Sequence, residues 1–299
     1  MITLAPARER SGSRVRIRYR VALRYEVDGP SDFIFLIHPA RTAQQHVTGE
    51  ALDVLPEADH AVETDLQSGN RLLKLRAGAG TLDVRLQACV DVVHHMARPE
   101  DVVAAAPAAL PASTLRYLTA SRYCQTDRLQ QHAWSLFGGL PRGYAQVQAV
   151  CDWVRGHVEF RAGTSHPGTS ALETFDTGIG VCRDFAHLAI TLCRALNYPA
   201  RFVTGVDYGA DPSLGPPDFH AYVEVYLDRW YLFDPTGISP TTGLIRIATG
   251  ADAADVSFAT IFGPVRTGMP LLAFDAVEDA EAGVLRPRAT PLAVSTALV

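Results

Sequence analysis

The spacing of apolar residues changes period along this chain, and the order of the changes narrows the folds open to it. From Arg14 onward Val15, Ile17, Tyr19, Val21, Leu23, Tyr25 and Val27 share one face, while Arg14, Arg16, Arg18 and Arg20 share the other. Strand-like runs follow at 33–37 and 71–75. A last alternation sets Leu82, Val84, Leu86, Ala88, Val90 and Val92 on one face. A period of two belongs to half-buried strands, and turn residues at 28–30 and 78–80 separate the runs. Residues 1–95 are therefore expected to form a small antiparallel β-sandwich-like domain. The Ala/Pro-rich segment 96–112 reads as a linker.

Beyond it the period becomes helical. Val147, Val150, Cys151, Val154 and Val158 recur at three and four residues, the mark of an amphipathic helix. A glycine-rich loop at 177–180 then runs straight into a second helical pattern through Phe185, Leu188, Ala189, Leu192, Cys193 and Leu196. That places Cys182 in the first turn, among unpaired backbone N–H groups and at the positive end of the helix dipole. Such a position favours the thiolate that cysteine chemistry uses. Alternation returns at 219–226, which opens with His220, and at 230–233, which is followed by Asp234. Asp228 and Arg229 lie at the turn between these two strands.

Each of the three residues has a bland reading alone. A cysteine is commonly a small buried hydrophobe, a histidine at a strand start a structural residue, and an aspartate before proline a turn former. Their joint placement is what points to chemistry. A hairpin brings His220 and Asp234 onto neighbouring strands, so the carboxylate can fix one imidazole nitrogen while the other faces a thiol. Nucleophile, base and orienter would then each sit on a rigid element. Candidates for the oxyanion hole or the cleft wall are the backbone of Cys182, the indole of Trp153 and Tyr222. For Trp153, plain core packing is the competing reading.

Composition removes several function classes. Hydrophobic and charged fractions of 47% and 20% are those of an ordinary globular chain, and a net charge of −5 speaks against a nucleic-acid partner. The arginine run at 14–20 reads as the solvated face of a strand rather than a binding patch. The five cysteines are odd in number and scattered, without zinc-like spacing, so neither a disulfide framework nor a metal or other cofactor is expected. Residues 1–10 lack the apolar core of a leader, and no stretch is long and apolar enough to span a bilayer. A cytoplasmic location without membrane partners is the expectation, with the oligomeric state open. Residues 113–274 are assigned to the catalytic core and 275–299 to a disordered tail. The loop 209–217 reads equally as a cleft loop or a connector.

The stretches 170–174 and 180–186, with His220-Ala221-Tyr222, Trp230 and 233–236, resemble the transglutaminase-like superfamily, in particular its bacterial branch of cysteine proteases. The resemblance is strongest over 145–260. It implies a papain-like α+β cysteine-protease core behind the N-terminal β domain, with nucleophile, base and acid falling on Cys182, His220 and Asp234. Two positions depart from the family pattern: Tyr222 stands where Trp is common after His-Ala, and Ala251 where relatives tend to carry Arg. The implied activity is hydrolysis of amides in a peptide or protein substrate through a thioester. Transfer to an amine, and a non-catalytic binding module, are the alternatives. No calcium loop of Asp-x-Asp-x-Asp-Gly type is present.

Overall fold

The computed structural model describes residues 14–210 and 217–296. The 1–10 segment read for a leader, part of the loop before His220, and the last three residues of the tail lie outside the described residues. The first seven strands are β1 (Arg14–Val27), β2 (Ser31–Phe35), β3 (Gln45–Leu55), β4 (His60–Thr64), β5 (Arg71–Ala77), β6 (Gly80–Val93) and β7 (His95–Ala97). The alternation in β1 does what the sequence suggests: every second residue from Val15 to Val27 is buried. On the outer face Arg16 and Arg14 pair with Asp91, Arg20 with Asp275 and Arg24 with Asp83. The arginine stripe is thus largely neutralised by carboxylates on neighbouring strands.

Helices follow, with short strands among them. These are α1 (Ala112–Leu115), α2 (Thr126–Phe137), α3 (Tyr144–His157), β8 (Glu159–Phe160), α4 (Ala171–Thr177), β9 (Ile179–Gly180) and α5 (Cys182–Ala195). Next come β10 (Ala200–Asp207), β11 (Phe219–Tyr226), β12 (Trp230–Phe233) and β13 (Leu244–Gly250). The C-terminal strands are β14 (Ala259–Phe262), β15 (Val265–Thr267), β16 (Leu271–Val277), β17 (Val284–Leu285) and β18 (Ala293–Ser295). The core is an antiparallel sheet in the order β12-β11-β10-β13. Helix α5 packs against it on the side of Ala221, Val223 and Val225, and from Asp184 to Ala195 every residue of this helix is buried. A helix enclosed all round reads as more uniformly apolar than a surface helix. None of the helices among the described residues is long and apolar enough to cross a membrane.

The N-terminal domain differs from its expected bounds. Strand β1 pairs with β6 along one edge, and its other edge is taken by β15, β16 and β17 from the far end of the chain. In the second sheet, β14 joins β2, β5 and β4. Tyr25 packs on Phe33 and Phe35 between the two sheets, at ring separations of 5.4 and 5.6 Å. Segment 259–285, assigned from sequence to the core and the tail, therefore completes the sandwich. Over the described residues 275–296 the disordered-tail reading of 275–299 is corrected in the same way: Val284, Ala293 and Val294 are each at most 1% exposed, and β18 pairs with β7. β15, β17 and β18, of two or three residues each, carry too little period to be read, yet the open edge of β1 needs partners for its backbone groups. The linker 96–112 is likewise fixed to the core, with Val102 buried and Ala105 N–H bonded to the Leu227 carbonyl at 2.9 Å.

Candidate active site

Cys182 owes its position to the glycines before it. Gly178 ends α4 in the left-handed conformation (φ 66°), where a side chain would strain the backbone. Gly180 is required by close approach, since a Cβ there would lie 2.7 Å from Asp184 Cβ. The short parallel pair β8–β9 pins this loop, with Glu159 N–H on Gly178 O and Arg161 N–H on Gly180 O at 2.8 and 2.9 Å. The residue capping α5 is Val181, which has no side-chain acceptor. Asp184 compensates from the third helical position, its carboxylate accepting the Val181 N–H at 2.9 Å and the Ser165 hydroxyl at 3.0 Å. This is the returning arm of a capping box, and it fixes the turn that presents Cys182. Arg183 braces the same turn through the carbonyls of His166 and Thr169.

His220 and Asp234 meet across the β11–β12 hairpin. Pairing ends at Val223–Phe233, three residues after His220 and one before Asp234, so both side chains lie beyond the paired part of the hairpin. His220 Nε2 lies 3.2 Å from Asp234 Oδ1, and both side chains are almost fully buried. The same oxygen accepts from Thr236 N–H at 3.0 Å and the Thr236 hydroxyl at 2.6 Å, while Oδ2 accepts from Ser239 N–H at 3.3 Å. Cys182 also acts on the imidazole, and like Asp234 it raises its titration. Burial opposes a charge on His220, but the Asp234 carboxylate outweighs it. With the hydrogen bonds to Asp234 and Cys182 added, the imidazole titrates well above the ordinary histidine value. Asp234 shows the converse: burial works against its charge, and His220, Thr236 and Ser239 hold its carboxyl below the usual range. The arrangement favours an imidazolium beside a sulfur atom, oriented by a carboxylate.

The structure brings Cys182, His220 and Asp234 together and sets the two other candidates elsewhere. Trp153 stacks on His157 at 4.3 Å and on Phe175 at 5.9 Å, so its ring belongs to the packing between α3 and α4. Tyr222 is fully buried in a cluster with Val203, Leu232, Leu244 and Val294. It shares its strand face with Glu224, which is clamped by Arg201 at 2.6 Å and by Arg246. Tyr222 is thus part of a closed layer and not of a cleft wall, because Val294 of the C-terminal segment covers that face. At Ala251, cationic contact comes from another direction: Arg194 donates to its carbonyl at 2.6 Å. Residues that sequence reasoning passed over are Asp184, Thr236, Ser239 and Arg155. Only Asp184 carried a signal, as an acid at the third position of a helix. Among the described residues no group of three or more His, Cys, Asp or Glu side chains is arranged to hold a metal ion.

Comparison with known proteins agrees with this architecture. Residues 121–235 match the transglutaminase-like superfamily, and residues 15–109 match the bacterial transglutaminase N-terminal domain. A crystal structure of a putative cysteine protease from Cytophaga hutchinsonii superposes with a TM-score of 0.87 at 33% identity, covering 96% of this chain and 99% of that one. An uncharacterized protein of Mycobacterium leprae is 30% identical over 116 residues, which is 37% of this chain. The match spans 42% of the length of that curated relative.

Proposed function

We propose that this chain, which belongs to the transglutaminase-like superfamily, is a cysteine-dependent amide hydrolase acting on peptides or proteins. The observation that carries the reading is the position of His220, held by Asp234 through Nε2 at 3.2 Å, with Cys182 acting on the same imidazole. His220 takes the thiol proton, and the sulfur of Cys182 attacks the carbonyl carbon of the scissile amide. The oxygen of the tetrahedral adduct meets the backbone N–H of Cys182, a first-turn amide with no acceptor inside the helix. Collapse breaks the C–N bond as His220 returns its proton to the leaving amine, and a thioester remains on Cys182. Water, deprotonated by His220, then attacks the thioester carbonyl. The C–S bond breaks, the acid leaves, and the thiolate is restored. Asp234 keeps the imidazole in one orientation throughout.

The acceptor distinguishes hydrolysis from amine transfer. With glutamine-containing and C-terminally amidated peptides as acyl donors and a millimolar primary amine present, the expected product is free acid. A product dominated by the new amide would instead make the chain an amine-transferring enzyme. No product with any donor, together with His220-independent reactivity of Cys182, would refute catalysis at this site.

A further inference from the structure

Asp234 is supported by a residue on a different element. Arg155 projects from α3 and donates from Nη2 to the backbone carbonyl of Asp234 at 3.2 Å. The N–H of Gly237 bonds to the same carbonyl at 3.1 Å, closing a tight turn over 234–237. The guanidinium lies directly against that turn. A Cβ on Gly237 would sit 2.5 Å from both Cζ and Nε of Arg155, and Gly237 holds a φ of 68°, so glycine is needed there on two counts. Arg155 itself is not enclosed; its side chain is 46% exposed, with Asp152 3.7 Å away. A long, solvent-facing side chain thus covers the turn beneath which the Asp234 carboxylate is only 2% exposed. Arginine suits this work because its planar fork packs on a flat backbone surface while still donating.

We propose that Arg155 is a positioning residue for the acid, holding the 234–237 turn closed so that the Asp234 carboxylate stays dry and aimed at His220 Nε2. It touches no reacting atom. The inference rests on the Cys182–His220 reading above. The charged and titratable groups acting on His220 are Asp234 after β12, Cys182 at the start of α5 and Asp218 just ahead of β11. Arg155 acts on His220 through the geometry of the turn. Loosening the turn admits water to Asp234 and weakens its hold on the imidazole, so the imidazolium loses its proton at lower pH.

The test is alkylation of Cys182 by iodoacetate, an anion drawn to an imidazolium beside the sulfur, followed as a pH–rate profile by peptide mass mapping. In the wild type the rate rises as the thiol–imidazole pair acquires its charges and falls as the imidazolium is neutralised; these apparent values belong to the pair. In Arg155→Ala the descending limb is expected to move down by on the order of one pH unit. The melting temperature should stay within a few degrees, since the lost side chain is half exposed. Arg155→Lys, which keeps a donor for the Asp234 carbonyl, should recover most of the shift. Gly237→Ala, which displaces the guanidinium, should reproduce the Ala variant. A descending limb in Arg155→Ala that overlays the wild type, or a Lys variant that behaves like Ala, overturns the proposal. A wild-type profile without a descending limb and insensitive to His220→Ala instead refutes the underlying thiol–imidazole reading.

Discussion

Replacing Asp234 with Asn keeps the shape of the side chain and removes its charge, so the outcome can be worked from the contacts. The carboxylate receives three donors on Oδ1, from His220, the Thr236 amide and the Thr236 hydroxyl, and one on Oδ2, from Ser239 N–H. Asparagine does best with its carbonyl oxygen toward the three donors. Its amide group then faces Ser239 N–H, donor against donor, in a site where water is excluded. Hydrogen bonds to a charged group contribute about 1.5–3 kcal/mol and neutral ones about 1, and a stranded buried donor costs about 1–3 kcal/mol. The expected loss is about 2–4 kcal/mol near pH 6. Its pH dependence follows from the directions of the two shifts. His220 is raised in the folded state, so its contribution is complete below the unfolded value of 6.5 and disappears as pH rises through the folded value. Asp234 is lowered, so its contribution is complete above the unfolded value of 3.8 and disappears as pH falls through the folded value. Urea titrations of both proteins between pH 5 and 10 should therefore show a difference in stability that is widest near pH 6 and narrows on the alkaline side. A difference below about 1 kcal/mol, or one that is constant across that range, would refute the coupling of Asp234 to His220.

Iodoacetamide near pH 7 should label Cys182 ahead of Cys124, Cys151 and Cys193, which are at most 1% exposed. Burial pushes Cys124 up to about 11 and Cys193 up to about 12. Equal labelling of all four thiols in the folded protein would contradict this. Burial also holds His187 neutral, lowering it to about 3, while its Nε2 accepts from Ala253 N–H at 3.1 Å. The unfolded chain binds that proton below 6.5, so this residue costs stability as pH falls from 6.5 toward 3; His187→Gln should flatten the acid side of the stability curve. Glu224→Gln should cost about 3–5 kcal/mol, because it leaves the buried Arg246 and the partly buried Arg201 against an uncharged partner. Denaturant midpoints check both variants, and a Glu224→Gln midpoint equal to the wild type would show that the buried cluster contributes nothing.

How far the fold could be read depends on where each residue finds its partner. The faces of β1 and β6 were legible because fourteen-residue strands with one buried side repeat their pattern many times. The helix behind Cys182 was legible from its apolar spacing, and the hairpin carrying His220 from two alternating runs. The strands that complete the sandwich were not. Arg18 faces Asp275 across β16, a partner more than 250 residues away in sequence, and nothing local to either residue announces it. The same long-range closure explains the misplacement of Tyr222. Alternation along β11 sets Tyr222 on the same face as Glu224, but Val294 seals that face, and the path of the C-terminal segment has no sequence signature. Trp153 neighbours the apolar stripe of α3, yet its ring finds His157 and Phe175, which only tertiary packing can decide. Arg155 is an exposed arginine on an amphipathic helix, and its carbonyl acceptor appears only once the 234–237 turn is in place.

The central claim is that an acyl group passes through the sulfur of Cys182, and intact-protein mass spectrometry tests it most directly. The enzyme would be mixed with amidated and glutamine-containing peptides, quenched in acid within the first turnovers, and digested to locate any adduct. A mass increase equal to the acyl portion of a peptide is expected on Cys182, absent from Cys182→Ala and stabilised by variants that slow release to water. Turnover with no adduct on Cys182, and undiminished in Cys182→Ala, would contradict it.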